Sequence, residues 1–485
     1  MTERRSRRHA THDMTYSLGI DLGTTFTAAA VVRSARAEVV TLSYRTTSIP
    51  TVVALTEDGE FVIGDTAERR ALGTPERVAR EFKRRVGDPV PVLLGGTPVS
   101  VDRLLAEVLR HVHRTVSATE GAPPASTVVT HPANWGAFKQ DVLVQALRQA
   151  EIDHASLLPE PVAAATWYAA SERLAPGATV AVYDLGGGTF DAAVLEMGVD
   201  GRFVVRGRPE GIERLGGIDV DAAVMGHVLR VLGPAADRLD PTDAAITLAM
   251  AQLRRECVEA KEALSAETSV SIPVMLPSHR ENVLLHRREL EDLIGPLLGP
   301  TTEALARAVA SAELPAGRPG AVLLVGGASR MPLIAREVTT ALGLPVAVDA
   351  HPKHPVALGA ALVAAARAPA PAAVPAALPS SPAPPPTSPP ASPSPPPAGW
   401  GPAASPSPPL PPPASPSPPG WRPAAPPGPA PSGPPVRRQA PGAPPSGPPV
   451  RRSAPGASPS GPPIRPRPPP SGPPPGPGGA ARRCD

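Results

Sequence analysis

The sequence predicts an α/β protein of two lobes with an internally duplicated core, followed by a disordered proline-rich tail. Three observations support this: strand-like runs alternate with helical patterns, glycine-rich turns of one plan occur twice, and the composition changes near residue 368. The part before that change, residues 15–367, exceeds the roughly 250–300 residues at which one hydrophobic core stops growing. Two lobes are therefore expected, with a ligand cleft between them.

The elements follow in chain order. Strand signals occupy residues 16–20 and 27–33, with a Gly-Thr-Thr turn between them. Further strand signals occupy residues 126–130, 179–185 and 321–325, each before a turn marked by glycine or proline. Helical patterns cover residues 101–118, 137–150, 218–232, 244–266, 289–312 and 332–342. The first of these helices has one apolar face, formed by Leu104, Leu105, Val108, Leu109 and Val112. Alternating strands and helices are typical of α/β folds.

The last segment, residues 368–485, holds 48 of the 72 prolines and only one acidic residue, Asp485. Such a composition cannot bury enough apolar surface to offset the entropy of ordering, so we expect disorder there and in an arm at residues 1–14. Similar heptapeptides begin at Ser432, Ser446 and Ser460 and favour polyproline II. The tail is therefore either a ligand for a protein partner or an anionic surface, or a solvated spacer.

The net charge of +3 divides unevenly, because the tail carries nine arginines against one aspartate while residues 14–367 sum to about −7. This distribution argues against nucleic-acid binding by the folded part. The two cysteines, Cys257 and Cys484, build no disulfide framework. No apolar run suggests a signal peptide or a membrane span. We therefore expect a cytoplasmic monomer.

The first glycine-rich turn is GIDLGTTFT at residues 19–27. Asp21 ends a strand, Gly23 follows, and Thr24 and Thr25 occupy the turn. Backbone N–H groups in such a turn converge on phosphate oxygens, and the two hydroxyls add donors. Asp21 is placed to hold a hydrated Mg²⁺, because that ion prefers oxygen ligands and keeps its waters.

The second turn, YDLGGGTFDAAVL at residues 183–195, repeats this order of acid, glycines and hydroxyl. Its polar and glycine residues are Asp184, Gly186, Gly187, Gly188, Thr189 and Asp191. Each hairpin alone is a weak signal, since D-x-G also forms ordinary tight turns. Two hairpins of one plan, about 160 residues apart, predict two facing halves that grip one polyphosphate.

A third turn, LLVGGASRMP at residues 323–332, joins a buried strand to a helix whose start is marked by Ser329 and Pro332. The glycines Gly326 and Gly327 could place a flat backbone face or a helix N-terminus against a nucleotide. Turns of this kind also occur where no ligand binds, so the signal is moderate.

Nine segments in this order make residues 15–367 similar to the nucleotide-binding domain of the heat-shock-70 chaperone family. The segments are GIDLGTTFT, FKRRVGD, VVTHPA, LLPEPVAAA, DLGGGTFD, ERLGGIDVD, CVEAKEALS, VLLVGGASRMP and HPKHPVALGAA. The resemblance implies an actin-like ATPase fold with ATP or ADP and Mg²⁺ in the cleft, and K⁺ as a further candidate ion.

The resemblance also implies residue roles. Lys83 would orient the attacking water, Glu160 would organise metal and water, and Asp184 with Thr189 would lie beside the γ-phosphate, Asp184 as proton acceptor. Asp21 and Asp184 would hold Mg²⁺ through water. The remaining nucleotide contacts implied are Gly23, Thr24, Thr25, Gly186, Gly187, Gly188, Gly216, Gly217, Lys261, Ser265, Gly326, Gly327 and Arg330, with Lys261 and Ser265 on one helical face.

Some positions depart from the family pattern. Lys353 stands where an acid is usual, so an ion ligand is replaced by a competing charge. Adenine recognition is expected to differ, and a segment around Pro132 that couples nucleotide state to a substrate domain is altered. The departures on the adenine side are Val258, Glu262 and Ala328, and those in the segment around Pro132 are Asn134 and Gln140. After Ala366 the family's peptide-binding half does not follow; the proline-rich tail does.

Several functions remain open. We expect a slow ATPase of this family, and the main alternative is a non-hydrolysing ATP-liganded switch or scaffold that recruits partners through its tail. An actin-like filament protein is disfavoured by the FKRRVGD and CVEAKEALS segments. A sugar kinase is the weakest candidate, because no separate sugar site can be named.

Overall fold

The computed structural model describes residues 15–44, 46–71, 73–172, 174–240, 242–348 and 354–368. All of them belong to the first of two compact units, Met1–Pro382; the second unit is Ala383–Asp485. The expected arm at 1–14, all but the first residue of the expected tail, and Lys353 lie outside the described residues.

The strands in chain order are β1 (Ser17–Leu22), β2 (Phe26–Arg33), β3 (Arg36–Val39), β4 (Ser48–Pro50), β5 (Val53–Leu55), β6 (Phe61–Ile63), β7 (Val78–Ala79), β8 (Val92–Leu94), β9 (Thr97–Val99), β10 (Ser126–His131), β11 (Ala155–Pro159), β12 (Thr179–Leu185), β13 (Phe190–Met197), β14 (Phe203–Ile212), β15 (Ser269–Leu276), β16 (His279–His286), β17 (Ala321–Val325) and β18 (Val346–Val348). The helices are α1 (Asp65–Arg70), α2 (Val101–Glu120), α3 (Ala137–Gln149), α4 (Glu160–Glu172), α5 (Gly217–Leu232), α6 (Ala244–Ala263), α7 (Arg287–Ser311), α8 (Pro332–Leu342) and α9 (Pro355–Arg367).

Two sheets repeat one topology. The first has the strand order β11-β10-β1-β2-β3, with β4 also paired to β2, and the second has the order β18-β17-β12-β13-β14. In each sheet three strands form an antiparallel meander. A later strand pairs in parallel with the first strand of the meander, and one more strand pairs in parallel with that later strand. The predicted α/β core with internal duplication is confirmed.

Two small-residue helices, α4 and α9, lie between the sheets. One apolar cluster joins β10, both helices and strands of the second sheet, among them β12 and β17. The helices approach so closely that a Cβ added to Gly359 of α9 would overlap the carbonyl oxygen of Ala163 in α4. Likewise, a Cβ on Gly19 of β1 would overlap the backbone of α9. Only glycine permits backbone contact at this distance.

Each sheet belongs to a lobe with its own core. Lobe I comprises residues 15–172 with α9, and lobe II comprises residues 174–348. The lobe I core contains residues of β1, β2, α2 and α3, and the lobe II core contains residues of β12, β13, β17 and α5–α8. The apolar face predicted for α2 is confirmed, since its five positions are fully buried.

Several helix boundaries differ from the sequence prediction. α6 ends at Ala263 rather than 266, and α7 begins two residues early at Arg287. α4 and α9 were not predicted, because alanine-rich helices that are buried on more than one side show no single apolar stripe. Within the described residues, no helix is long and apolar enough to cross a bilayer.

Candidate functional site

The β1–β2 and β12–β13 hairpins meet between the lobes. Asp21 and Asp184 are the penultimate residues of β1 and β12, so equivalent positions bring them to the same place. A Cβ added to Gly187 would overlap Thr25 Oγ1, and one added to Gly188 would overlap the side chain of Thr24. The two predicted glycine-rich turns therefore touch each other, and the glycines make that contact possible.

Lys83 and Glu160 form a buried ion pair beside these hairpins. Lys83 Nζ lies 2.7 Å from Glu160 Oε1, and the two side chains are 3% and 9% exposed. Lys83 is carried by the 3-10 turn Phe82–Arg85, which Phe82 anchors in the lobe I core, while Glu160 begins α4. Burial opposes the charge of Lys83, but nearby carboxylates, above all Glu160, outweigh burial and raise its pKa.

Three aspartates complete an acidic cluster around this lysine. Burial, reinforced by the charge of Glu160, raises the pKa of Asp21 to about 7 and that of Asp191 to about 8. The same two causes raise the pKa of Asp184 well above its usual value. Four carboxyl groups thus share one ammonium group, and the surplus must be neutralised by protons or by a cation.

Asp191 was not among the predicted site residues. It stands directly opposite Asp184 in the β12–β13 pair, and it is buried with the backbone N–H groups of Asn134 and Ala133 beside it. The signal that could have found it was the second acid of the DLGGGTFD segment. On the lobe I side, Thr130 Oγ1 donates a 3.1 Å hydrogen bond to Asp21 Oδ1.

The cluster fits a hydrated divalent cation with phosphate. Thr25 Oγ1 and Asp191 Oδ1 are buried without hydrogen-bond partners, although buried polar atoms are normally paired. Among the described residues, no group of three or more histidine, cysteine, aspartate or glutamate side chains could hold a metal ion by itself. A Mg²⁺ ion here would therefore take its remaining ligands from water and phosphate oxygens.

The start of α5 docks on the second hairpin. Gly217 N donates to Gly186 O at 3.0 Å, and Ile218 N donates to Gly187 O at 2.9 Å. Lys261, in the last turn of α6, pairs with Asp221 at 2.7 Å and donates to Gly217 O at 3.3 Å. The predicted residues Gly216, Gly217 and Lys261 are thus neighbours of the hairpin.

Ser265 does not share a helical face with Lys261 as predicted. α6 ends at Ala263, and Ser265 lies in the following turn, where its N–H donates to Glu262 O. The apolar periodicity continues through Leu264, which is buried in the lobe II core, so the sequence pattern outlasts the helix.

The third glycine turn lies against Asp184. Gly326 has a φ of +85°, and a Cβ on it would overlap Leu185 O. Ser329 is not a helix cap as predicted, because it is buried in the 3-10 turn Gly327–Arg330, where its hydroxyl accepts from Leu185 N at 3.3 Å. α8 begins at Pro332 after Met331, without a side-chain cap. Gly327 and Arg330 are exposed.

The remaining predicted turn residue, Thr189, is half-buried at the end of the second hairpin. Its carbonyl accepts a 3.0 Å hydrogen bond from Gly186 N and so closes the turn. This holds the three glycines in the tight loop that faces the first hairpin.

The segment after β10 connects this cluster to lobe II. His131 donates through Nδ1 to Pro132 O at 2.8 Å and stacks on Trp135, with ring centroids 6.3 Å apart. The Trp135 ring centroid lies 5.6 Å from Lys83 Nζ. Gln140 Nε2 donates to Trp135 O at 2.8 Å. A Cβ on Gly211 would overlap the Asn134 amide, so this segment touches lobe II directly.

Comparison with known proteins gives one consistent match. The family model described as "Hsp70 protein" matches residues 17–93 and 90–375. A relative named "Chaperone protein DnaK" from Elusimicrobium minutum (strain Pei191) is 31% identical over 359 residues, which are 72% of this chain and 57% of the relative. A protein of the same name from Cenarchaeum symbiosum (strain A) is 29% identical over 358 residues, 72% of this chain and 54% of that protein. The chain thus spans just over half the length of these curated relatives.

Proposed function

Because this chain belongs to the Hsp70 family, we propose that residues 15–367 form its nucleotide-binding domain and bind and slowly hydrolyse ATP with Mg²⁺. Family membership implies the actin-like ATPase fold. The single observation that carries the proposal is the buried Lys83–Glu160 pair within an acidic cluster between two glycine hairpins.

The hairpins would hold the phosphates. In this proposal the backbone around Gly23 and at Gly186, Gly187 and Gly188 receives the phosphate oxygens, because glycine lets the main chain approach a ligand closely. The unpartnered hydroxyl of Thr25 gives one further donor at the same place, and Thr24 is the second hydroxyl of that turn. Contact between the two turns supports a shared ligand.

The acidic cluster would provide the chemistry. The Lys83 ammonium, kept charged by its neighbours, would stabilise negative charge that develops on the transferred phosphoryl group. Asp184 would accept the proton of the attacking water from its position at the end of β12, with Mg²⁺ and Lys83 favouring its ionised form. Glu160 would hold Lys83 and water in place, and Thr189 would close the hairpin over the γ-phosphate.

Mg²⁺, when bound, would offset part of the negative charge of the phosphates and of the carboxylates. Asp21 and Asp184 would orient its waters. Thr130 fixes the Asp21 carboxyl for that role. A K⁺ ion remains a candidate for the same cluster, and comparing K⁺ with Na⁺ in the assay tests it.

The nucleoside side of the site is proposed from the elements around α5. Gly216 and Gly217 lie between the second hairpin and Lys261, and the third glycine turn adds Gly326, Gly327 and Arg330. Ser265 would contact the nucleoside from the turn after α6. Val258 and Ala328, which depart from the family pattern, would alter adenine recognition.

Residues 368–485 are proposed as a proline-rich segment that recruits a protein partner or acts as a spacer. The match to the family model ends at residue 375, within this segment. A non-hydrolysing nucleotide switch is the second candidate, and the lysine at position 353, where the family pattern has an acid, favours it.

Single-turnover ATP hydrolysis of the wild type and of Lys83→Ala tests the proposal, with Mg²⁺ present and K⁺ exchanged for Na⁺. The matched control is Lys139→Ala, which removes a lysine paired with Glu213 rather than with the acidic cluster. Hydrolysis lost only in Lys83→Ala, with ATP still bound, is the expected result. Tight ATP binding without hydrolysis in the wild type would support the switch instead.

A further inference from the structure

Arg84 reaches from lobe I to lobe II immediately beside the Lys83 site. Arg84 belongs to the 3-10 turn Phe82–Arg85, and its side chain is only 12% exposed. Its Nε donates to Gly188 O at 2.8 Å, and its Nη2 donates to Asp219 Oδ2 at 2.6 Å. Its nearest acid within lobe I, Glu81, lies beyond hydrogen-bond distance at 3.6 Å.

Both partners belong to the nucleotide-facing edge of lobe II. Gly188 is the last glycine of the second hairpin. The same Asp219 oxygen accepts a 2.8 Å hydrogen bond from Gly216 N, which fixes the entry to α5. Because α5 also donates to the carbonyls of Gly186 and Gly187, one guanidinium ties the hairpin and the helix start to lobe I.

In the Arg84–Asp219 pair the side chains are 12% and 29% exposed, and two other ion pairs between the lobes have a more exposed basic side chain. Arg255 of α6 lies 3.7 Å from Glu68 of α1, with side chains 38% and 29% exposed. Lys139 of α3 pairs with Glu213, whose side chain is 55% exposed. Pairs at such positions contribute little and are screened by salt, whereas charge-assisted hydrogen bonds from a nearly buried arginine are stronger.

The position of Arg84 has a kinetic consequence. Lys83, Glu160, Asp184 and Asp191 are nearly fully buried between the lobes. A ligand in contact with these groups can leave only when the lobes separate, and the lobes separate only when the Arg84 hydrogen bonds break.

We propose that Arg84 is a positioning residue that clasps the two lobes over bound nucleotide and thereby sets the rate of nucleotide release. This inference rests on the proposed function. Loss of the clasp should accelerate release by about 10- to 100-fold, the range expected for hydrogen bonds to charged groups.

The neighbouring Arg85 is a matched control. It has the same charge and lies in the same 3-10 turn, but its guanidinium bonds to Asp88 and Val90 O, all within lobe I. Arg85→Ala removes one positive charge from the segment without touching lobe II. This control distinguishes loss of the Arg84 hydrogen bonds between the lobes from a general effect of one lost positive charge on the release of an anionic nucleotide.

The test measures dissociation of a fluorescent ADP analogue from the full chain by stopped-flow, chased with excess ADP and Mg²⁺. The variants are Arg84→Ala, Arg84→Lys, Asp219→Asn, the double variant and Arg85→Ala. We expect faster release in Arg84→Ala and Asp219→Asn, a smaller change in Arg84→Lys, and little change in Arg85→Ala. The double variant Arg84→Ala/Asp219→Asn should be no faster than Arg84→Ala, because Arg84→Ala already removes the bond that Asp219→Asn weakens.

Single-turnover hydrolysis of bound ATP, measured on the same variants, separates release from chemistry. If Arg84 acts as a clasp, the fold-increase in the rate of nucleotide release must be larger than any fold-decrease in the rate of hydrolysis in the same variant. Release within two-fold of wild type in Arg84→Ala, or an equal effect of Arg85→Ala, would overturn the clasp alone. A wild type that binds neither ADP nor ATP would overturn both the clasp and the proposed function. Arg84→Lys keeps the test decisive if Arg84→Ala folds poorly.

Discussion

Replacing Lys83 by methionine should destabilise the nucleotide-free protein strongly. Methionine keeps an unbranched chain of similar length but carries no charge. Lys83 and Glu160 are 3% and 9% exposed and 2.7 Å apart, so the pair is buried and its Coulomb attraction is little screened. Removing one partner of such a pair costs about 3–5 kcal/mol, because the other charge is left buried without compensation.

The surroundings place the expected loss in the upper part of that range at neutral pH. Lys83 also lowers the pKa of Asp21, Asp184 and Asp191, so its loss makes these three carboxyls harder to ionise. Asp21 and Asp191, whose pKa values are raised to about 7 and about 8, become protonated as the pH falls below those values and then need no charged partner. The difference in free energy of unfolding between wild type and Lys83→Met should therefore shrink as the pH falls.

Urea denaturation at pH 7 and pH 5, without nucleotide or metal, measures this difference. Lys139→Met is the control and should cost only about 0–1 kcal/mol, since its pair with Glu213 is partly exposed. The double variant Lys83→Met/Glu160→Gln should recover most of the loss, because no uncompensated charge remains. A Lys83→Met variant within about 1 kcal/mol of wild type at pH 7, or a double variant weaker than the single one, would refute the reasoning.

Three further changes test other features. The pKa of Asp191 is raised from 3.8 to about 8, so between these pH values the folded protein keeps a proton that the unfolded chain has lost. The free energy of unfolding should therefore fall as the pH rises from about 4 to 8. Asp191→Asn should reduce this pH dependence, as measured by denaturation curves at several pH values. Gly359→Ala should cost about 1–3 kcal/mol by overpacking at α4, whereas Gly226→Ala in α5, where a Cβ meets nothing, should stabilise by about 0.5–1 kcal/mol. Trp135→Leu should slow single-turnover hydrolysis about three- to thirty-fold by removing the ring near Lys83, and Trp135→Phe should retain most of the rate.

The sequence predicted the parts of the fold whose signals are local. A strand that ends in an acid and a glycine turn is visible in about nine residues, and it occurs at Asp21 and at Asp184. Each turn joins the first two strands of its sheet, so the two turns occupy equivalent positions in the two sheets. The duplication was therefore predictable without knowledge of any contact.

Features that depend on distant parts of the chain were not predictable. Lys83 and Glu160 are 77 positions apart, and no local pattern states that they pair. The helices α4 and α9 were missed because Ala163 and Gly359 serve close backbone contact, which leaves no periodic stripe of large apolar residues. Ser265 was misplaced because buried Leu264 extends the apolar period past the helix end.

The charge balance of the site determines which ligand it can accept under the proposed function. Four carboxyl groups surround the single ammonium of Lys83, so a nucleotide alone would add phosphate charge to a cluster that is already acidic. The Mg²⁺ ion of a magnesium–nucleotide complex instead brings two positive charges that offset part of this acidic surplus, and it should displace protons from Asp21 and Asp191, whose pKa values lie at about 7 and 8. Nucleotide affinity should therefore fall when EDTA removes the metal, and the proton release on binding should be larger at pH 7 than at pH 9, where these carboxyls are already ionised.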